Sequence, residues 1–387
     1  MKKILAVFGT RPEAIKMAPL LMQLGEEPAV QTRVCVTGQH REMLRQVLDV
    51  FGIAPDFDLD LMKERQDLYD LTSRVLLGMR AVFDEYRPDM VLVHGDTTSS
   101  FATALAAFYA RIAVGHIEAG LRTHDLYSPW PEEANRALTG RLAARHFAPT
   151  ATSKANLVAE GVPPECIFVT GNTVIDALHY VLYQLGNDPT RLARVEAQVS
   201  AAGYVLGSRR LVLVTGHRRE NFGEGFDRIF TALRNLARRF NDVDFVYPVH
   251  LNPHVMVPAH ALLSGVDNVH LIKPLEYEPF IYLMSRCYFM ISDSGGVQEE
   301  APSLGKPVLV TRGTTERPEA VEAGTVELVG TDTQKIEGAA SRLLEDSAFH
   351  DRMSRAHNPY GDGHAAERIA AHLMTYLKDG ASHASSI

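Results

Sequence analysis

The stretch Ile4-Leu5-Ala6-Val7-Phe8-Gly9-Thr10-Arg11-Pro12-Glu13 runs from an unbroken apolar segment straight into a polar turn. Five consecutive apolar residues suit a strand covered on both faces, the kind a parallel sheet requires. The turn leads into a helical pattern over residues 13–24. Met1-Lys2-Lys3 ahead of the run resembles the start of a secretory leader, but the apolar segment ends at Gly9 and meets Arg11 and Glu13 at once. It therefore reads as a first strand.

The same rhythm of short apolar run, polar turn and amphipathic stretch repeats along the chain, which is the signature of strand-helix units on a parallel sheet. A first series predicts strands at 4–8, 30–37, 90–94, 112–117, 146–148 and 167–169, with a further helix over 99–110. A helical, partly charged connection follows from Gly171 to about Gly207. A second series predicts strands at 211–215, 244–248, 269–272, 288–292 and 308–311. The expected class is therefore α/β: two Rossmann-like doubly wound domains with a cleft between them. Domain one spans 1–170 and domain two 171–364. A last helix over 365–378, after the bend Asn358-Pro359-Tyr360-Gly361-Asp362-Gly363, is expected to pack back on the first domain. The tail 379–387 is expected to fray.

The bulk numbers fit this picture. The 387 residues suit two domains, and 46% hydrophobic with 22% charged residues is an ordinary globular composition. A net charge of -8, from 39 basic and 47 acidic residues, argues against nucleic-acid and membrane-surface binding, both of which need a basic face. Three scattered cysteines give neither a disulfide framework nor a thiolate metal site, and a cytoplasmic location is expected. No apolar stretch approaches the roughly 18 residues that cross a bilayer.

Doubly wound sheets place ligands at the carboxyl ends of their strands, so the residues just after each strand carry the functional information. Asp96 and Glu118 lie one or two positions past buried strands, where a carboxylate is costly without a partner or a task. Arg11 and Lys16 bracket the first turn, and Arg317 follows the last strand of the second series. Each alone is an ordinary surface cation, but together on one rim they suit a diphosphate. Ser294-Gly295-Gly296 opens a helix whose free N–H groups favour an anion, with Glu299 or Glu300 a turn later for ribose hydroxyls. His217, in Gly216-His217-Arg218-Arg219-Glu220-Asn221, suits a proton carrier or a phosphate ligand. Glu132 and Arg136 share a helix face four residues apart, after the Ser128-Pro129-Trp130-Pro131 loop. Neither a Walker loop nor Gly-x-Gly-x-x-Gly occurs, so no NAD site is expected. The sixteen histidines lack regular ligand spacing, so no metal site is expected either.

At this point a resemblance is evident. Residues 9–16, Gln39-His40-Arg41-Glu42-Met43, Gly95-Asp96-Thr97, Glu118-Ala119-Gly120-Leu121-Arg122, Pro131-Glu132-Glu133-Ala134-Asn135-Arg136, 216–221 and 294–305 resemble the bacterial non-hydrolysing UDP-N-acetylglucosamine 2-epimerases. The resemblance implies a GT-B arrangement, a homodimer, and interconversion of UDP-GlcNAc with UDP-ManNAc. It ties Asp96, Glu118, Glu132 and His217 to catalysis. It gives contacts to substrate or UDP to Arg11, Lys16, Phe280, Ser294, Gly295, Gly296, Glu300 and Arg317, and Arg136 is grouped with them as a binding residue. In some members a second UDP-GlcNAc acts as an activator, beside the positions of Gln39, Glu42, Arg65, Arg218 and His250.

The chemistry narrows the mechanism. C2 of an N-acetylhexosamine bears no adjacent carbonyl, so its proton is not acidic. Without a dinucleotide fingerprint, oxidation at C3 is disfavoured, leaving elimination of UDP to 2-acetamidoglucal and re-addition. Proton transfer falls to some subset of Asp96, Glu118 and Glu132. Competing expectations are a GT-B glycosyltransferase, a hydrolysing epimerase releasing ManNAc, and a nucleotide-sugar sensor.

Overall fold

Strand β1 (Lys2–Phe8) is buried from Ile4 onward and pairs in parallel on both edges, with β2 (Val30–Val36) and β4 (Met90–His94). The computed structural model describes residues 1–38, 41–61 and 66–379, with backbone alone at 41–43 and 379. Two compact units result, one made of Met1–Ala177 with the chain from Tyr360 onward, the other of Leu178–Pro359.

The first unit completes its sheet with β3 (Phe57–Asp58), β5 (Ala113–Ile117), β6 (Arg145–Ala148) and β7 (Ile167–Val169), in the order β3-β2-β1-β4-β5-β6-β7. All pairs are parallel, with Leu5 opposite Val91 and Val91 opposite Val114. Side chains on both faces of β1 and β4 therefore face helices, which is why these strands read as apolar runs rather than alternations. Leu5, Val7, Val91 and Val93 pack with Val75, Met79 and Phe83 of helix Leu68–Tyr86. Each such side chain contributes about 1.5–3 kcal/mol on burial.

The second unit repeats the design with β8 (Arg210–Thr215), β9 (Val243–Pro248), β10 (Val269–Ile272), β11 (Phe289–Ser292), β12 (Val308–Val310) and β13 (Val326–Leu328). Their order is β10-β9-β8-β11-β12-β13, again parallel throughout. Its core is more aromatic: Phe226 and Phe230 of helix Glu224–Arg239 pack with Phe245, Tyr247 and Phe289. The α/β class of two doubly wound sheets is thus present in both units. Strands β3 and β13 were not anticipated. They are two and three residues long and lie at sheet edges, where a single ladder of hydrogen bonds, not an apolar run, defines the strand.

Two features of the first unit bear on the site. Helix Thr173–Asn187 starts in it and carries the chain across to the second unit, and the chain returns at Tyr360. Where these segments meet, the N–H of Asn172 donates to the Tyr360 carbonyl at 2.7 Å, and a Cβ on Gly171 would lie 3.3 Å from the Gly361 Cα. Helix Ala365–Asp379 then packs on helix Arg11–Gly25, its first turn capped by the Asp176 carboxylate, which accepts from the N–H groups of Ala365 and Ala366 at 3.2 and 2.8 Å. Among the described residues, no helix is long and apolar enough to cross a membrane.

Candidate active site

In each sheet the chain turns to opposite sides after the first and fourth strands in the series, and the crevice outside that switch point is where a doubly wound fold takes a ligand. In the first unit the switch point is clamped by Glu13. Its buried carboxylate accepts from the N–H groups of Gly9 (3.0 Å) and Thr10 (2.7 Å), after β1, and from the hydroxyls of Thr97 (2.6 Å) and Ser100 (2.9 Å), after β4. Thr10 and Thr97 also cap their helices, Arg11–Gly25 and Thr98–Tyr109. Burial pushes the Glu13 carboxyl above the usual carboxylate range, against the pull of the donors around it. Gly9 is obligatory here, because a Cβ would meet the Thr37 hydroxyl oxygen at 2.1 Å.

Beside this clamp stand two carboxylates, each held by a cation. Asp96 follows β4 and pairs with Arg136 of helix Glu132–Leu142, while Asn135 donates to the Asp96 carbonyl at 2.9 Å. Arg136 also lies 3.2 Å from Glu133, itself buried and accepting from the N–H groups of Thr123 and His124 at 3.0 Å each. Glu118 follows β5, the strand paired with β4, and takes the ammonium of Lys16 and the amide of Asn172 at 2.7 Å. Its own backbone is left-handed, at φ 58°, a conformation costly for any side chain larger than glycine and found preferentially at functional sites.

Three buried histidines line the same strands. His94 ends β4; its Nε2 has no hydrogen-bond partner among the described residues and faces Glu118 at 3.9 Å. His116 of β5 bonds the Gly95 carbonyl through Nε2 at 2.8 Å and is registered with His146 of β6. Burial is the main cause that lowers all three, to about 4 for His94, about 3 for His116 and about 4 for His146.

In the second unit the switch point is clamped from the fourth strand. Asp293, fully buried after β11, accepts from the N–H groups of His217 and Arg218 at 2.9 Å and from the Asn221 amide at 3.2 Å. Ser294 then caps helix Gly295–Ser303 through its backbone position alone, without a side-chain bond to the helix. The guanidinium of Arg317 lies over this helix start. Its Nε donates to Glu299 and its Nη1 to Glu316, both at 2.6 Å. Arg312 donates to the other Glu316 oxygen at 2.7 Å, and these two cations hold the Glu316 carboxyl down at about 2 against the opposing effect of burial. Glu300 receives the Tyr277 hydroxyl at 3.4 Å, and Phe280 lies half-buried on the neighbouring helix Tyr277–Arg286.

The expected residues therefore fall into two groups, one per unit. Arg11, Lys16, Asp96, Glu118, Glu132 and Arg136 belong to the first; His217, Arg218, His250, Phe280, Ser294, Gly295, Gly296, Glu300 and Arg317 to the second. Several differ from expectation in what they touch. Arg136 turns to Asp96 and Glu133 rather than to Glu132, since Asp96 lies at its inner end. Lys16 is engaged by Glu118. Glu299 is held by Arg317, while Glu300 takes the Tyr277 hydroxyl. Gln39 and Arg65 lie outside the described residues, as does the Glu42 side chain. Asp293, Glu13 and Asn172 were given no role from sequence. Asp293 carried a usable signal, because it stands past a buried strand just as Asp96 does. Among the described residues no cluster of His, Cys, Asp or Glu has the grouping of a metal site.

Comparisons with known proteins agree closely. A family profile described as UDP-N-acetylglucosamine 2-epimerase matches residues 22–374. A probable UDP-N-acetylglucosamine 2-epimerase of Ralstonia nicotianae is 61% identical, covering 97% of this chain and 100% of that protein. The UDP-N-acetylglucosamine 2-epimerase of Escherichia coli is 57% identical over 95% of this chain and 97% of its own. The crystal structure of UDP-GlcNAc 2-epimerase from Neisseria meningitidis bound to UDP-GlcNAc matches with a TM-score of 0.90 and 52% identity, over 96% of this chain and 100% of that one.

Proposed function

Because the chain belongs to the UDP-N-acetylglucosamine 2-epimerase family, we propose that it inverts C2 of UDP-GlcNAc by eliminating UDP and adding it back. The observation that carries this reading is the pair of carboxylates at the ends of adjacent strands, Asp96 and Glu118, each held by a cation. A carboxylate placed beside C2 can take a proton and, once protonated, deliver one. Two such groups serve a reaction that removes a proton from one face of C2 and supplies one to the other.

A carboxylate takes the C2 proton, the C2–H electrons form the C1–C2 double bond of 2-acetamidoglucal, and the anomeric C–O bond breaks with its electrons on UDP. In return, a protonated carboxyl on the opposite face delivers a proton to C2 and a UDP oxygen attacks C1. The proton moves back between the acid groups before the next turnover. The proton transfers fall to some subset of Asp96, Glu118 and Glu132. The leaving UDP gains charge, and stabilising it falls to Arg11, His217, Arg317 and the N–H groups of the Ser294-Gly295-Gly296 turn. Neither first-strand turn carries Gly-x-Gly-x-x-Gly, so the route needs no NAD.

The same reading makes the protein a cytoplasmic homodimer supplying ManNAc units for cell-surface polysaccharide. It also gives Arg218 and His250 to a second, activating UDP-GlcNAc; the His250 ring stacks on that of His217 at 5.8 Å. The deciding experiment is NMR of UDP-GlcNAc with the protein in D2O, without added NAD or metal. Deuterium at C2 in both epimers is expected. Turnover without exchange would sink the elimination route, and free ManNAc or transfer to an acceptor would point to hydrolysis or glycosyl transfer instead.

A further inference from the structure

We propose that Asp293 is a positioning residue for His217, holding the imidazole with its proton on Nδ1 so that Nε2 is the ring atom offered to the diphosphate of UDP. The inference rests on the reading above, in which His217 serves the departing UDP. It deepens that reading by assigning the tautomer and the residue that sets it.

The geometry is a dyad of a buried carboxylate and a partly exposed imidazole, joined by a backbone clamp. Asp293 Oδ1 lies 3.4 Å from His217 Nδ1, and the aspartate side chain is fully buried while the imidazole is 43% exposed. The carboxylate cannot turn away, because its two oxygens are fixed by other donors. The His217 N–H reaches Oδ1 at 3.1 Å and Oδ2 at 2.9 Å, the Arg218 N–H reaches Oδ2 at 2.9 Å, and Asn221 Nδ2 reaches Oδ2 at 3.2 Å. Asn221 is in turn tied to the Thr311 carbonyl at 3.1 Å. A carboxylate oxygen offers only lone pairs, so the ring edge facing it is favoured as N–H, which leaves Nε2 on the solvent side. The His250 ring lies alongside, its centroid 5.8 Å from that of His217 and its plane at 24°.

Three charged or titratable groups bear on the imidazole. Burial is the largest influence and lowers its pKa from the ordinary value; Asp293 opposes this, while Arg218 and His250 reinforce it. When phosphate oxygens arrive, Nε2 takes a proton from solvent and donates the new N–H to them, and the Asp293 carboxylate beside Nδ1 stabilises the resulting imidazolium, the role an orienting carboxylate plays toward a catalytic histidine elsewhere. Because Asp293 directly precedes the Ser294-Gly295-Gly296 turn, one residue fixes both the histidine and the start of the anion-binding helix.

The test begins with the unmodified full-length protein. In protein labelled with 15N-histidine, long-range 15N–1H correlation above pH 7.5 reads the tautomer of each neutral ring, and His217 is identified by the signal that His217→Gln removes. The Nδ1-protonated form is expected; a ring protonated on Nε2 overturns the proposal. Asp293→Asn gives an independent reading. Its Oδ1 must face the backbone donors, which aims its NH2 at Nδ1 and drives the proton to Nε2. The expected result is a kcat at least about a hundredfold lower, KM within about threefold, UDP still bound, and the histidine limb of the kcat profile moved to lower pH. A folded Asp293→Asn protein with unchanged tautomer and near-normal kcat overturns the proposal. If this variant does not fold, the tautomer of the unmodified protein decides alone. Activity retained by His217→Gln refutes the role of His217 itself, whatever the tautomer; an inactive His217→Gln together with an Nε2-protonated ring refutes only the role of Asp293.

Discussion

A Cβ added to Gly295 would sit 2.5 Å from Nη1 of Arg317 and 2.9 Å from its Cζ. The guanidinium cannot move aside freely, since its Nε holds the fully buried carboxylate of Glu299. Breaking such a pair leaves a buried charge uncompensated, which is the costly case. Gly295→Ala is therefore expected to lose about 2 kcal/mol or more of stability in urea unfolding and to weaken UDP binding. At Gly296 the added carbon meets only a Glu300 oxygen at 3.6 Å, an ordinary contact. Gly296→Ala should stay within about 0.5 kcal/mol of the parent. Equal losses for the two variants would show that Arg317 is not what demands glycine at 295.

Lys16 pairs with Glu118, and a role through that carboxylate separates kinetically from a direct role on phosphate. Lys16→Met leaves the Glu118 carboxyl in a site where burial favours the neutral form, so its pKa rises. The acidic limb of the kcat profile should move up by about one pH unit or more, with kcat restored at higher pH. A pure rise in KM with an unmoved limb would return Lys16 to UDP binding. Asp96→Asn and Glu118→Gln should each lower kcat by about a thousandfold while UDP still binds by calorimetry. Near-normal turnover in either would remove that residue from proton transfer.

The buried histidines give the protein an acid sensitivity of predictable sign. Unfolded, each titrates near about 6.5. Folded, burial lowers His94 and His146 to about 4 and His116 to about 3. Below pH 6.5 the unfolded chain binds protons that the folded chain refuses, so stability is complete above that pH and lost as pH falls toward 4. At pH 5 the loss is on the order of 2 kcal/mol per histidine. Urea midpoints measured from pH 7.5 to 5 should fall steeply, and His146→Gln should flatten the slope by about a third. A midpoint indifferent to pH in this range would mean that these rings are protonated in the folded protein.

The legibility of this chain in its sequence follows the range of each interaction. Strand β4 could be read from Met90 to His94 because burial on both faces demands an apolar run, and Asp96 stood out because it ends that run. The pairing of Lys16 with Glu118 could not be read, since it depends on which strands become neighbours. The same holds for Arg136, whose helical neighbour Glu132 suggested a pair that Asp96 pre-empts. Strands β3 and β13 escaped notice because their residues are recruited by the edge of an existing sheet. Asp293 is the instructive miss: like Asp96 after β4 it stands just past a buried strand, but its partners are two backbone N–H groups and the distant Asn221 amide, a grouping no sequence pattern displays.

Glu13 offers the sharpest stability test of the first unit. Its four hydrogen bonds come from four donors, two backbone and two hydroxyl, joining the turns after β1 and β4. Glutamine matches the shape but replaces one acceptor oxygen by an NH2 group. If the amide oxygen serves Gly9 and Thr10, the NH2 faces the Thr97 and Ser100 hydroxyls, which can rotate to accept. Ser100, however, then gives up its role as a donor to Glu13, although it retains the His94 carbonyl at 2.6 Å. If the amide lies the other way, two backbone N–H groups confront a donor, which costs more. The first arrangement should prevail, so Glu13→Gln is expected to fold with a loss of about 1–3 kcal/mol, and Glu13→Ala, which strands all four donors, to lose more. Because Asp96 directly precedes Thr97, both variants should also lower kcat more than they raise KM. A Glu13→Gln protein as stable and as active as the parent would show that the two turns hold their places without the clamp.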